Sequence, residues 1–276
     1  QKDPLAVIHS RATSMLRIAA VFLTATALFA QTPQLTLAEK EEFLKTAKIG
    51  ANKDAGNGIT GSIRATLSDG KITHDVHIQT IDESKARFEG TRGVEINFRD
   101  SYKFNIAAYR LAKLLNLNMI PPSVERDFHG KPAAFTWWVD DVQFDEGGRI
   151  KKKATDPDSQ HWSQQIHTVR LFDQLIFNTD RNLGNLLITK SWDVWMIDHT
   201  RAFRIATDLE NAKMVVQCDR SLLQAIKALT APAIKSAVGP YLSNMEITGI
   251  LKRRDKIVKI IEAAGAKGTF DMPVRQ

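Results

Sequence analysis

The segment from Phe177 to His199 constrains this chain more than any other stretch of its sequence. It contains Asp180, then Asn185 five residues later, then Asp198 a further 13 residues along. Hydrophobic periodicity predicts a helix before the loop and two short strands after it, at 161–178, 186–188 and 194–197. This order of helix, loop, strand, turn and strand would bring the three polar side chains to one rim of the fold.

Asp180, Asn185 and Asp198 are the residue types that phosphoryl transfer requires. One carboxylate orients the attacking hydroxyl and accepts its proton, while an amide oxygen and a second carboxylate hold Mg²⁺ against the nucleotide phosphates. A purely structural interpretation stays open, because Asx-rich turns are common and a strand can end in an aspartate.

The same segment resembles the catalytic core of the protein-kinase-like superfamily. The likeness is greatest to its atypical branches, namely the phosphatidylinositol 3- and 4-kinases, the HipA-type bacterial kinases and the secretory-pathway kinases of the Golgi casein-kinase type. The stretch from Asn178 to Asn185 is similar to their Asp-Arg-His/Asn…Asn loop, and Ile197-Asp198-His199 is similar to their metal-binding tripeptide.

This resemblance covers roughly residues 55–205 and implies a function. Asp180 would be the catalytic carboxylate, Asn185 and Asp198 would ligate Mg²⁺ or Mn²⁺, and ATP would donate its γ-phosphoryl group to a hydroxyl. The implied fold has a small β-rich N-lobe with one main helix and a helical C-lobe.

A glycine-rich motif, Gly56-Asn-Gly58-Ile-Thr-Gly61-Ser62-Ile63, precedes these elements. It enters a predicted β-hairpin instead of opening a helix, which favours a kinase-type loop over a dinucleotide-binding unit. Glycines there would let backbone N–H groups approach phosphates. Ser62 stands where a P-loop carries lysine, so that motif is excluded. A plain surface loop remains the alternative.

Two positions depart from the kinase pattern. In Val76-His77-Ile78-Gln79, Gln79 stands where the resemblance expects a lysine, and Asn105 stands where the next helix should offer its glutamate partner. The two amides could bond to each other and to a phosphate oxygen, but they supply no positive charge. Lys85 or Lys103 could supply the missing cation. The alternative is a degenerate pseudokinase that acts as a nucleotide-binding or scaffold module.

The pair Trp137-Trp138, followed by Val139, ends the first half of the chain. The resemblance places the hinge that contacts adenine here, at Trp138 and Val139. Equally, the two tryptophans could simply alternate between the core and the surface of a strand.

The order of predicted elements indicates an α+β fold with two lobes. Strands and one main helix come first and helices dominate afterwards, so we expect an N-lobe at 31–140, a linker at 141–160 and a C-lobe at 161–276. The linker assignment rests on Gly147-Gly148 and a lysine run. Residues 82–100 are polar and give no clear prediction.

Residues 1–30 are predicted to be an upstream extension and a signal peptide. Met15 and Arg17 precede an apolar run, Ile18 to Ala30, and cleavage is expected near Ala27–Ala30. The run is short for a membrane span, so no stable span is expected, although a buried helix is an alternative. An exported protein, periplasmic or secreted, also suits the single cysteine.

Other classes lack support in the sequence. One cysteine excludes a disulfide scaffold, and G-x-S-x-G and H-E-x-x-H motifs are absent. The net charge of +7 is too modest to indicate nucleic-acid binding, so no such partner is expected. The expected partners are a nucleotide and a hydroxyl-bearing acceptor, whether protein, lipid or small molecule. An unrelated α+β export-pathway protein is the remaining alternative.

Overall fold

Antiparallel strands dominate the first half of the chain and helices the second. The computed structural model describes residues 35–54, 62–90, 93–273 and 275. The predicted signal peptide and the glycines Gly56, Gly58 and Gly61 lie outside the described residues.

The main helices are α1 (Leu37–Thr46), α2 (Lys103–Leu114), α3 (Glu146–Lys152), α4 (Ser159–Ile176), α5 (Arg220–Lys227), α6 (Ala231–Val238) and α7 (Asn244–Ala263). The strands of the first half are β1 (Lys48–Asp54), β2 (Ile63–Ser68), β3 (Thr73–Gln79), β4 (Asp82–Gly90), β5 (Gly93–Ser101), β6 (Ser123–Phe128) and β7 (Lys131–Trp137). Later strands are β8 (Val142–Asp145), β9 (Leu186–Thr189), β10 (Val194–Met196), β11 (Cys218–Asp219) and β12 (Thr269–Phe270).

A five-stranded antiparallel sheet of order β1-β2-β3-β7-β6 forms the N-lobe. The β2–β3 hairpin turns at Asp69-Gly70, where Gly70 has a φ of +90° that a side chain would disfavour. Helix α1 begins with a capping box between Thr36 and Glu39 and buries Phe43 against the sheet. Helix α2 instead joins the larger core, which it shares with the C-lobe helices.

Three segments differ from the sequence-based expectation. No strand was predicted at 48–54, where the structure has the edge strand β1. Gly50 lets this strand approach β2, since a Cβ there would lie only 3.2 Å from the carbonyl oxygen of Thr66. Strands β4 and β5 pair as a separate hairpin, held by stacking of Phe88 on Phe98 at 4.2 Å. The side chains of this hairpin are mostly exposed, so the sequence has no alternation of apolar and polar residues from which the strands could be predicted.

The expected linker at 141–160 contains a strand and a helix. Strand β8 pairs with β9, which pairs with β10. The side chain of Asp145 caps α3 by accepting a hydrogen bond from the Gly148 nitrogen at 2.6 Å. The glycine pair that suggested a loop therefore lies in the first turn of a capped helix.

The C-lobe packs around α4 and α7, whose apolar faces meet in the larger core. A capping box between Ser243 and Glu246 begins α7. Within the part of the chain that the structure describes, no helix has the length and apolar character of a membrane span.

Candidate active site

The loop that carries Asp180 begins where α4 ends. Phe177 terminates the helix in the left-handed region, with a φ of 51°. The buried Asn178 then donates from its side-chain nitrogen to Asp173 at 3.0 Å and accepts a hydrogen bond from the Asp180 nitrogen at 3.1 Å. These bonds fix the backbone from which Asp180 projects.

Asn185 ends the same loop. The Asn182 side chain caps the short 3₁₀ turn at Leu183–Asn185, by accepting from the Gly184 nitrogen at 3.0 Å. The side-chain nitrogen of Asn185 donates to the Asp180 carbonyl at 3.3 Å, so its amide oxygen is the atom available to a ligand. Asn182 is thus a turn residue, whereas Asn185 lines a cavity.

Arg181 joins the loop to the segment that carries Asp198. Its guanidinium donates to both carboxylate oxygens of Asp173, at 2.9 and 3.0 Å, and to the carbonyl oxygens of Asn185 and Ile197, at 2.9 and 2.7 Å. Nη2 also lies 2.9 Å from Nε2 of His199. Burial, followed by the charge of Arg181, holds the pKa of His199 well below its usual range, so this imidazole is neutral and accepts the bond.

Asp198 follows β10 in the left-handed region, with a φ of 51°. Such a backbone is uncommon for a residue with a side chain, and it directs the carboxylate into the small cavity, of about 290 Å³, that Asn185 also lines. Thr200 donates its hydroxyl to Oδ1 at 3.0 Å. Asp198 forms no salt bridge with any residue that the structure describes.

An amide oxygen and a carboxylate without a salt bridge, both lining one cavity, are ligands that Mg²⁺ and Mn²⁺ accept. Two protein ligands fit a cation whose other positions are filled by phosphate oxygens and water. Within the described ranges, no cluster of three or more His, Cys, Asp or Glu side chains could hold a metal alone.

Trp138, Val139 and Ser62 also line the small cavity. Trp137 is buried and packs edge-on against Phe43 at 5.7 Å, whereas the guanidinium of Arg64 lies 4.2 Å from the Trp138 ring. The two tryptophans therefore do alternate in environment, and both also line the cavity.

Gln79 and Asn105 form the amide pair that the sequence suggested. The Asn105 side-chain nitrogen donates to Oε1 of Gln79 at 2.6 Å, and its oxygen accepts from the His199 backbone nitrogen at 2.7 Å. Both side chains are buried, and within the described ranges Nε2 of Gln79 has no hydrogen-bond partner. This amide relay links β3, through α2, to the residue that follows Asp198.

The small cavity contains no lysine or arginine among its described lining residues. Lys85 lies on the β4–β5 hairpin, where its ammonium pairs with Glu83 at 2.8 Å. Lys103 pairs with Asp82 at 2.7 Å. Neither lysine lines this cavity, so none of its described lining residues supplies the cation that a kinase strand provides.

His77 and Asp100 are ionisable residues beside the site that sequence reasoning did not select. His77 lines the small cavity; burial lowers its pKa, and the charge of Asp198 partly opposes this. Burial raises the pKa of Asp100, and the negative charge of Asp198 raises it further. His77 could have been found, because residues two apart on a strand share a face and Gln79 was already of interest.

Asp180 lines a second, large cavity of about 890 Å³. Nη1 of Arg201 lies 4.0 Å from Oδ2 of Asp180, and Arg204 and Glu95 line the same space. One loop therefore presents Asn185 to the small cavity and Asp180 to the large one. The sequence offered no signal for the arginines, since their role depends on the unpredicted β4–β5 hairpin.

No protein-family model matches the sequence, and no curated protein matches it either. Solved structures are similar to it. The structure of hydra Fam20 with sugar is 15% identical, has a TM-score of 0.62, and covers 85% of this chain and 92% of its own.

The Golgi casein kinase is 13% identical, covers 84% of this chain and 77% of its own, and has a TM-score of 0.56. Its structure with Mn/ADP bound is 12% identical, covers 85% of this chain and 78% of its own, and has a TM-score of 0.56. The chain therefore has an atypical protein-kinase-like fold, and the predicted α+β, two-lobed kinase-like architecture is confirmed.

Proposed function

We propose that this chain binds ATP with Mg²⁺ or Mn²⁺ in the small cavity and transfers the γ-phosphoryl group to a hydroxyl acceptor. One observation carries the proposal: Asn185 and Asp198 line the same cavity as Trp138 and Val139, while Asp180 faces the neighbouring large cavity. Donor and acceptor would then meet on either side of one loop. Manganese and ADP in the similar Golgi casein kinase support this choice of ligands.

Each residue then has a defined task. Asp180 accepts the proton of the attacking hydroxyl, and Asn185 and Asp198 hold a divalent cation whose charge offsets that of the phosphates. Trp138 and Val139 line the space for the adenine base of the nucleotide. Arg181 and the amide relay position Asn185 and Asp198, the two metal ligands.

Calorimetry with MnADP on the full chain tests the nucleotide site. Asp198→Asn removes the ligand charge, so we expect affinity to fall at least about tenfold, the loss of one charge-assisted contact. Asp208→Asn is the matched control, because that side chain is 84% exposed, pairs with Lys256 and lines neither cavity. Equal affinity in wild type and Asp198→Asn would contradict the proposal.

A non-catalytic role is the second candidate, favoured by the neutral Gln79–Asn105 pair and the absence of a described cation in the small cavity. Transfer from labelled ATP separates the two. An enzyme loses turnover in Asp180→Asn and keeps MnADP binding. A wild-type chain that binds MnADP and never turns over is a pseudokinase.

We also propose that the chain is exported, on the strength of the apolar run after Arg17. Expression from Met15 in a secreting host, followed by mass spectrometry of the exported chain, tests this. The expected new N-terminus lies just after Ala27 or Ala30, and an intact, retained chain contradicts export.

A further inference from the structure

The β4–β5 hairpin places one carboxylate between two arginines of the large cavity. Nη2 of Arg201 donates to Oε2 of Glu95 at 2.5 Å, and Nη2 of Arg204 pairs with Oε1 of the same carboxylate. A third arginine of this cavity, Arg99, pairs instead with Glu246, at 2.5 Å. Glu95 is therefore the carboxylate that Arg201 and Arg204 share.

The two guanidiniums are held in place and incompletely satisfied. Their central carbons lie 4.9 Å (Arg201) and 5.8 Å (Arg204) from the ring of buried Phe98. The Nε atoms of both are buried and have no hydrogen-bond acceptor among the residues that the structure describes. Buried donors are normally satisfied, and a guanidinium has five N–H groups that fit a carboxylate or phosphate. The pair has capacity for more oxygen atoms than Glu95 offers.

This arginine pair lies directly beside the proposed catalytic carboxylate. Besides the 4.0 Å approach of its guanidinium to Asp180, Arg201 accepts a hydrogen bond at its carbonyl oxygen from the Thr179 hydroxyl at 3.0 Å. On the hairpin, Val94 and Ile96 are 52% and 63% exposed and line the rim of the same cavity as Glu95. Among these three side chains, Glu95 is the one that contacts both arginines.

We propose that Arg201 and Arg204 form an oxyanion-binding site for a carboxylate or a phosphate monoester, and that Glu95 occupies this site as an internal competitor. An entering anion would displace the Glu95 carboxylate and take up the unused N–H donors. The site itself does not depend on the proposed function; only its assignment to the acceptor does.

Titration of the full chain with inorganic phosphate tests the site, at a constant ionic strength of about 0.15 M so that screening does not change. Glu95→Gln removes the competing charge, and we expect phosphate to bind about tenfold more tightly than to wild type. Glu89→Gln is the matched control, since Glu89 lies on the same hairpin and pairs with Arg87 at an exposed position. It should leave phosphate affinity at the wild-type value.

Adding Arg201→Gln to Glu95→Gln should abolish the gain. The site is refuted if Glu95→Gln binds phosphate no better than Glu89→Gln, or if the double variant binds as well as Glu95→Gln. Should Glu95→Gln fail to fold, wild type provides the second measurement. Phosphate should then raise its unfolding temperature more than chloride at equal ionic strength, and Arg201→Gln should remove this difference.

Glycerol 3-phosphate distinguishes an anion on the acceptor from a free one. If glycerol 3-phosphate binds more tightly than inorganic phosphate, and Asp180→Asn removes this difference, the acceptor carries the anion next to its hydroxyl. If the two ligands bind equally, the site takes a free anion. Neither measurement involves nucleotide. If the chain binds MnADP but no anion, only this site is overturned. If it binds the anion but no MnADP, only the proposed function is overturned.

Discussion

Replacing Arg181 by methionine should destabilise the C-lobe more than replacing an exposed arginine by methionine does. Arg181 and Asp173 are 13% and 9% exposed at their side chains and are joined by two hydrogen bonds. Methionine fills most of the volume but leaves a buried carboxylate whose charge is no longer compensated. Removing one partner of a buried pair costs roughly 3–5 kcal/mol, and for a chain of this size roughly 2–4 °C of unfolding temperature accompanies each kcal/mol.

Urea unfolding followed by circular dichroism, together with thermal unfolding, measures this loss. Arg87→Met is the matched control, because Arg87 and Glu89 are 63% and 71% exposed, and the expected change is within about 0.5 kcal/mol. The double variant Arg181→Met, Asp173→Asn removes both charges and should recover part of the loss.

Two results would refute this reasoning. One is an Arg181→Met variant within about 1 kcal/mol of wild type, which would show that the pair is not a buried clamp. The other is a double variant whose loss equals the sum of both single losses, because residues in direct contact should be coupled by about 0.5–3 kcal/mol. Where Arg181→Met remains folded, its MnADP affinity should also fall, since the guanidinium holds the carbonyls of Asn185 and Ile197.

Three further predictions concern buried polar groups. The pKa of His199 lies below its ordinary value, so the unfolded imidazole takes up a proton below about pH 6.5 while the folded one does not. The stability of the fold should therefore decrease as the pH drops from about 6.5. His199→Gln should weaken this pH dependence, and the exposed control His129→Gln should not. Burial raises the pKa of Cys218 to about 12, so a thiol reagent at neutral pH should react only after unfolding in urea. Asn105→Leu should cost about 1–3 kcal/mol in urea unfolding, and adding Gln79→Leu should restore part of it, because Oε1 of Gln79 is then no longer an orphaned buried acceptor.

Local signals in the sequence predicted the elements that position the site. The helix before the loop, the two short strands and the residue types of Asp180, Asn185 and Asp198 were all readable, because each depends on neighbours within a few positions. Even the Gln79–Asn105 bond followed from aligning a strand and a helix to the kinase pattern. Helix α4 ends two residues before the predicted boundary, at Ile176, since Phe177 adopts the left-handed conformation.

Long-range contacts explain what the sequence did not predict. Arg181 and Asp173 are eight residues apart, yet the acceptors of Arg181 extend to Ile197. Glu95 meets Arg201 across 106 positions, through a hairpin whose exposed side chains show no alternation. Neither the charge pattern nor the periodicity of the chain contains information about such pairings.

The amide relay separates two roles that the lysine–glutamate pair of a kinase combines. Asn105 keeps the structural role, because it ties β3 to the backbone nitrogen of His199 and so fixes the residue next to Asp198. The charge role has no counterpart among the described residues that line the small cavity. If the proposed function holds, neutralisation of the phosphates therefore rests on the divalent cation at Asn185 and Asp198, and ATP without metal should bind at least about tenfold more weakly than ATP with Mn²⁺. Comparable affinity with and without metal would show that another cation reaches the phosphates and would contradict this division of roles.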